Sequence, residues 1–353
     1  MAKSTQPDDL SCQLSALDQQ LQDLMCQRAE LLSQQTAQTR STLSAPGRYS
    51  LASSEPTAPF TQAQLDELLW QIHCACLAVS GSTRVAFLGP VGTFTQAALI
   101  KRFGSQVTMQ PQATIDDVFR EVEAGQAEYG VVPVENSTEG VVNHTLDKFL
   151  ASPLKICAEI ELRIHQHLLV KHTGQKITRI YSHQQSLAQC REYLLAHYPG
   201  VAQVSVASNA EAARLAAQSD EAAAIAGELA AEAYQLVYQA RNIEDKPDNS
   251  TRFLVIGPQS PAPSGQDKTT LLISAPNRPG MLYQLLAPIK DNNIMMTRIE
   301  SRPSRQGLWD YVFFIDIVGH QDQAPVAEAL AQLQAQASLY KWLGSYPAAR
   351  RDA

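Results

Sequence analysis

Residues 129–147 read YGVVPVENSTEGVVNHTLD, and they decide the fold class. Tyr129 to Glu135 form a short, largely apolar run, the pattern of a buried strand. Asn136, Ser137 and Thr138 follow at once, residue types that favour caps and turns, and a helical run opens near Asn143. A strand that ends in a polar turn before a helix is the repeating unit of α/β sheets, whose strand-end crevices are where ligands bind. The first turn of each such helix offers free N–H groups and a positive dipole end, so a set of them favours an anion.

The same texture extends on both sides. VAFLG (85–89), HLLVK (167–171), RIYSH (179–183), AAAIAG (222–227) and RFLVIG (252–257) alternate with helical stretches at 114–124, 184–197 and 209–218. This alternation predicts an α/β sheet with largely parallel strands. Three more strand-to-helix turns stand out: GPVGTFT (89–95), SHQQS (182–186) and SNAEA (208–212). Thr93, Asn136, Ser137, Thr138, His183, Ser208 and Asn209 in these turns are candidate binding residues. Each is equally suited to capping a helix, and a cap is compatible with a ligand.

Outside this region the composition changes. Leu10, Leu14, Leu17, Leu21, Leu24, Leu31 and Leu32 recur at helical spacing, predicting one long helix over 10–40. A Ser/Ala/Pro-rich linker follows at 41–60, then a second helix over 61–78. Two helices cannot bury a continuous apolar stripe alone, so a dimer or packing on the next domain is expected. A Pro/Gly/Ser linker, GPQSPAPSGQD (257–267), precedes a unit whose elements run βαββαβ, the ferredoxin-like order.

The 353 residues suffice for about two to three domains of ordinary size. A formal charge of −7 argues against a nucleic-acid or anionic-membrane surface. No apolar run is long enough to span a bilayer, and MAKSTQPDDL lacks the apolar stretch of a signal peptide. Six cysteines without repeating spacing read as reduced thiols of a cytoplasmic protein. Cys74 and Cys76 have no second pair to complete a zinc site. His165 and His167 lack an evident third ligand, so they read as structural and no metal is expected. GPVGTF is not the dinucleotide fingerprint, and no cofactor is expected.

Taken together, VAFLGPVGTFTQAA (85–98), residues 129–147, IYSHQQSLAQC (180–190), NSTRFLVIG (249–257), PNRPGMLYQLL (276–286), TRIESRP (297–303) and LGSYP (343–347) resemble the prephenate dehydratase family followed by an ACT regulatory domain. LSALDQQLQDLMCQRAELL (14–32) and LLWQIHCACLAV (68–79) resemble the first and last helices of the chorismate mutase domain of P-proteins. The resemblance implies an α/β and α+β multidomain chain: a degenerate mutase-like helical domain (1–80), a two-lobed, periplasmic-binding-protein-like dehydratase domain (84–258) and an ACT domain (268–348). The substrate would be prephenate, converted to phenylpyruvate in the interlobe cleft, with arogenate as the alternative, and the chain a homodimer or homotetramer. Thr251 of the T-R-F motif would assist departure of the ring hydroxyl. Arg252 would anchor a carboxylate or pair with an acid structurally.

The resemblance also implies a phenylalanine effector at Asn277, Pro279, Gly280, Met281, Leu282, Glu300, Ser301 and Arg302. Met281 and Tyr283 depart from the family's G-A-L-V element, which leaves room for tyrosine as a competitor. The mutase half departs further. Arg28 occupies the position of the family's first-helix arginine. Ser11 replaces a second arginine, Thr39 replaces a lysine, and Arg40 falls about 100° out of phase. The charged second helix is replaced by segment 41–60. A chorismate site needs cations aimed at two carboxylates, so mutase activity is expected to be lost. The alternatives are a bifunctional mutase–dehydratase rebuilt on Arg28, Arg40 and Arg48, and a non-catalytic amino-acid sensor.

Overall fold

The architecture comes from a computed structural model that describes residues 7–34, 59–80, 83–274, 278–303 and 311–349. Asn277, Thr39, Arg40 and Arg48 lie outside the described residues. The chain divides into two compact units, Met1–Thr83 with Phe103–Thr108, and Arg84–Arg102 with Met109–Ala353.

In the first unit, helices α1 (Pro7–Ser33) and α2 (Gln62–Ser80) pack together. Leu32, Cys74 and Cys76 are buried, and Arg28 Nη2 lies 2.6 Å from His73 Nδ1. The remaining leucine stripe of α1 (Leu10, Leu14, Leu17, Leu21, Leu24) is more than half exposed.

Among the described residues, the second unit holds three sheets. The first contains β1 (Arg84–Leu88), β2 (Thr108–Gln112), β3 (Tyr129–Asn136), β4 (Gly140–Val141) and β5 (Lys155–Arg163). The second contains β6 (His167–Val170), β7 (Arg179–Ser182), β8 (Ala202–Ser205), β9 (Ala222–Ala226) and β10 (Val237–Ala240), in the order β10-β6-β9-β7-β8. Strand β11 (Ser250–Gly257) then returns to the first sheet, whose order is β2-β1-β3-β11-β5 with β4 beside β3. Helices α3 (Phe94–Phe103), α4 (Ile115–Glu123) and α5 (Asn143–Ala151) belong to the first lobe. The second lobe carries α6 (Gln184–Gln189), α7 (Arg191–His197), α8 (Asn209–Ala217) and α9 (Glu228–Ala233). Local rules account for these elements. In α4, Ile115, Val118, Phe119 and Val122 recur at helical spacing and are buried, while the Thr114 hydroxyl accepts the Asp117 N–H as N-cap.

The expectation of largely parallel strands needs correction. β1 and β3 are parallel, as are β7 with β8 and with β9. β11, however, runs antiparallel to both β3 and β5, and β6 antiparallel to β9 and β10. Because β5 runs out of the first lobe and β11 runs back in beside it, the two must be antiparallel.

The third sheet contains β12 (Asp267–Ser274), β13 (Met296–Pro303), β14 (Tyr311–Val318) and β15 (Leu339–Pro347), in the order β13-β14-β12-β15, all antiparallel. Helices α10 (Met281–Asp291) and α11 (Ala324–Gln336) complete the βαββαβ order. Side chains alternate between its faces. Leu271, Ile273, Phe313, Ile315 and Ile317 pack with the helices. Leu272, Val312, Phe314, Leu343 and Tyr346 join the first-lobe core with Val134, Phe149, Ile156 and Leu254. Burial on both faces explains why YVFFIDIV (311–318) is a nearly continuous apolar run. Gly344, at φ 146°, permits the close approach of β15 to β5, since a Cβ there would collide with the Ile156 carbonyl oxygen.

Candidate functional site

The site grows from the ladder between β11 and β3, which sets Thr251 opposite Asn136. Asn136 Oδ1 accepts the backbone N–H groups of Thr138 (3.0 Å) and Glu139 (3.1 Å), which can only donate. Its amide nitrogen must therefore point the other way. It donates to Asn249 Oδ1 (2.9 Å) and to Thr251 Oγ1 (2.8 Å). A threonine hydroxyl carries one hydrogen and two lone pairs. With its oxygen already accepting from Asn136, the Thr251 hydroxyl keeps its hydrogen for another partner.

From Asn249 the network continues into the second lobe. Asn249 Nδ2 donates to Gln189 Oε1 (3.1 Å), and Gln166 Nε2 donates to Ser186 Oγ (3.0 Å). Asn209 Nδ2 also donates to Ser186 Oγ (2.8 Å), while Asn209 Oδ1 accepts from the Ser182 hydroxyl and the His183 N–H, both at 3.1 Å. The Gln189 Nε2 is buried without a hydrogen-bond partner among the described residues.

These groups line an interlobe cleft of about 340 Å³. Thr93, Asn136, Gln166, His183, Gln185, Ser186, Gln189, Ser208, Asn209, Asn249 and Thr251 supply its polar surface, and Leu88, Phe94, Pro133, Ile164 and Phe253 its apolar surface. None of the lining residues is Asp, Glu, Lys or Arg, and His183 is the one imidazole among them. Three helices begin at the cleft. Thr93 precedes α3 and its hydroxyl accepts the Gln96 N–H, His183 caps α6, and Ser208 caps α8. A small anion with an apolar ring would therefore meet amide N–H groups, hydroxyls and helix dipoles rather than a fixed cation.

Several sequence candidates lie elsewhere. Arg252 points to the opposite face of β11, where Glu159 and Asp316 hold it at 2.7 Å each, so the pairing reading applies and the carboxylate anchor does not. The reason is the two-residue period of a strand: if Thr251 faces the cleft, Arg252 cannot. Ser137 and Thr138 do not line the cleft. Ser137 Oγ accepts the Ser250 N–H, and Thr138 Oγ1 donates to Asn249 Oδ1, so both tie the turn to the start of β11.

Among the described residues, the effector candidates do not gather on one face of this chain. Gly280 (φ 77°) is the N-cap of α10, Pro279 is exposed, Leu282 is partly exposed and Met281 is buried. Ser301 pairs with Phe313 on the helix-covered face, whereas Glu300 and Arg302 pair with Phe314 and Val312 on the face toward the first lobe. Arg302 Nη2 donates to Asp147 Oδ1 of α5 at 2.8 Å rather than pairing with Glu300.

His165 Nδ1 lies 2.8 Å from Glu244 Oε1, and the buried His167 accepts the Asn242 N–H. Burial lowers the His167 pKa despite Glu228 and Glu244 nearby. Cys190 follows Gln189 in the chain, and burial together with Asp245 and Glu244 raises its thiol pKa strongly. Burial alone pushes Cys157 up to about 12. Both thiols are packing groups, not nucleophiles.

Gln166, Ser186, Gln189 and Asn249 are cleft residues that sequence reasoning missed. Their signal was faint: Gln166 sits between two more conspicuous histidines, and Gln189 lies at the end of a short helix.

The fold and cleft define a two-lobed α/β protein whose interlobe cleft is lined by amides, hydroxyls and helix ends, joined to a ferredoxin-like unit. Comparison with known proteins sharpens this. Residues 85–261 match the family model of prephenate dehydratase and residues 269–335 that of the ACT domain. A relative from Pseudomonas aeruginosa, described as a bifunctional chorismate mutase/prephenate dehydratase, is 54% identical over 293 residues, 82% of this chain and 80% of its own. One from Stutzerimonas stutzeri, described in the same words, is 47% identical over 365 residues, 99% of this chain and 100% of its own. The crystal structure of prephenate dehydratase from Arthrobacter aurescens in complex with L-Phe aligns with a TM-score of 0.70 at 36% identity, covering 75% of this chain and 90% of that one. The chain belongs to the prephenate dehydratase family, carries an ACT domain, and is a lyase-type enzyme.

Proposed function

We propose that the interlobe cleft converts prephenate to phenylpyruvate and that L-phenylalanine regulates it through the ACT domain. The ring carboxylate leaves as CO2, its bonding electrons complete the aromatic ring, and the C4–O bond breaks. One proton converts the departing hydroxide to water. The observation that carries the reading is the Asn136 amide donating to Thr251 Oγ1, because it leaves the Thr251 hydroxyl hydrogen available to the departing oxygen. The helix N-termini at Thr93, His183 and Ser208 suit the two carboxylates.

The N-terminal helices serve assembly in this reading, with the mutase activity lost. The exposed stripe of α1 leucines supports a homodimer, and no helix among the described residues is long and apolar enough to cross a membrane. The bifunctional reading has its own support, because the Stutzerimonas stutzeri relative aligns over 99% of the chain and carries both names.

Separate incubations of the pure protein with chorismate and with prephenate test these readings. Phenylpyruvate from prephenate with chorismate untouched is the expected result. Consumption of both substrates would restore the mutase, and activity on neither would favour a sensor. A higher kcat/KM for arogenate would replace prephenate as the substrate.

A further inference from the structure

The face of β11 turned away from the cleft carries a buried network of charges. Arg252 Nε lies 2.7 Å from Glu159 Oε2 on β5, its Nη1 lies 2.7 Å from Asp316 Oδ2 on β14, and its Nη2 donates to the Tyr346 hydroxyl on β15 at 3.1 Å. Thr270 on β12 donates to Asp316 Oδ1 at 2.7 Å and shares a 2.6 Å hydrogen bond with Tyr346. Glu159, Asp316 and Tyr346 are 6%, 2% and 0% exposed. One arginine of the first lobe thus grips two strands of the third sheet.

Its position matters. Arg252 is the residue after Thr251, and the register of β11 against β3 shifts between Arg252 and Phe253. The neighbouring strand repeats the arrangement. Glu135, the residue before Asn136, lies 2.9 Å from Arg298 of β13. The two residues that share the hydrogen bond at the cleft, Thr251 and Asn136, are therefore each adjacent to a residue ion-paired with the third sheet. Adhesion alone does not call for this. The seam is already apolar, through Leu254, Phe314, Leu343 and Ile156, and buried ion pairs add little stability over apolar residues of the same shape. What they add is a fixed geometry.

We propose that Arg252 is a positioning residue. Held by Glu159 and Asp316, it fixes the irregular segment of β11 from which the Thr251 hydroxyl enters the cleft, so the third sheet sets the placement of that hydroxyl. This rests on the reading of the cleft as the dehydration site. It also gives the ACT domain a direct hold on turnover, because any shift of β14 relative to the first lobe is felt at Arg252.

The test uses full-length protein with prephenate, with and without saturating L-phenylalanine. Two variants serve: Asp316→Asn, which removes the charge, and Tyr346→Phe, which keeps every charge and removes one tether. Asp316→Asn is expected to lower kcat about tenfold or more with KM within about twofold. It is also expected to raise the fraction of activity that survives L-phenylalanine, while calorimetry still detects L-phenylalanine binding. Tyr346→Phe should move both quantities in the same direction by about two- to threefold, and it decides the question if Asp316→Asn does not fold. The proposal is overturned if kcat falls only in proportion to folded protein with the surviving fraction unchanged, or if both variants match the wild type. Wild-type turnover with unresponsive variants removes the positioning role alone; no wild-type turnover removes the dehydratase reading and the positioning role with it.

Discussion

The two faces of β11 solve different problems with adjacent residues. Thr251 faces a cleft whose partners are amides, hydroxyls and helix ends; Arg252 faces a seam where Glu159 and Asp316 neutralise it. Burial works against charge on Arg252 and Asp316, yet their mutual attraction keeps both ionised, raising the arginine pKa and lowering that of the aspartate. Such a charge is committed to its partner. The cleft face keeps unspent donors instead, and only those can meet a substrate. A fixed cation on the ring carboxylate would favour the substrate over the transition state, where that charge disperses as CO2 departs, and would lower kcat.

The comparison breaks most severely if the cleft face proves dispensable. Thr251→Val removes the hydroxyl with little change of volume, and kcat for prephenate should fall by about 10²–10⁴-fold, with thermal unfolding near that of the wild type. Retention of more than a tenth of the activity would detach Thr251 from the chemistry. Asn136→Asp is the subtler test. The carboxylate still accepts the Thr138 and Glu139 N–H groups, but it now draws the Thr251 hydrogen toward itself. Loss of about 10²-fold in kcat is expected; full activity would show that the direction of that hydrogen bond is irrelevant.

On the seam side, Gly344→Ala forces a Cβ toward the Ile156 carbonyl at a φ that L side chains rarely adopt. Chemical denaturation should register a loss of about 1–3 kcal/mol. Unchanged stability would mean that β15 can withdraw from β5 freely. The smallest effect concerns His167 in the second lobe, a titratable group buried without a full ion pair. Its environment includes Glu228, Glu244, Arg241 and His165, but burial dominates and lowers its pKa below the ordinary value of about 6.5. Between those two values the unfolded chain binds more protons. This contribution to stability is therefore present above about pH 6.5, declines as pH falls through that window, and levels off below the folded pKa. His167→Gln should flatten the slope of unfolding free energy as pH falls below about 6.5, and an unaltered slope would assign the histidine no such role.

How much of this was legible depended on whether the deciding contact was local. The strand-turn-helix reading of 129–147 needed only residue types and spacing, and the turns at Thr93, His183 and Ser208 carried their capping chemistry in the sequence. Ser137 and Thr138 looked equally good because their hydroxyls suit any turn. Their partners, Ser250 and Asn249, lie more than a hundred residues away. Gln166 and Gln189 were overlooked because a neutral amide has no distinctive local signature. They matter only once the second lobe brings them beside Asn209 and Asn249.

The sequence by itself determined the alternation of strands and helices, the βαββαβ order at the C-terminal end, and the family to which the chain belongs. Tertiary structure alone decided the direction of β11, the face on which Arg252 lies, and its capture by Asp316. Periodicity states that neighbours in a strand point to opposite sides, but it does not say what lies on either side. That depends on how the β5 and β11 crossovers place one lobe, the other, and the third sheet around a single strand.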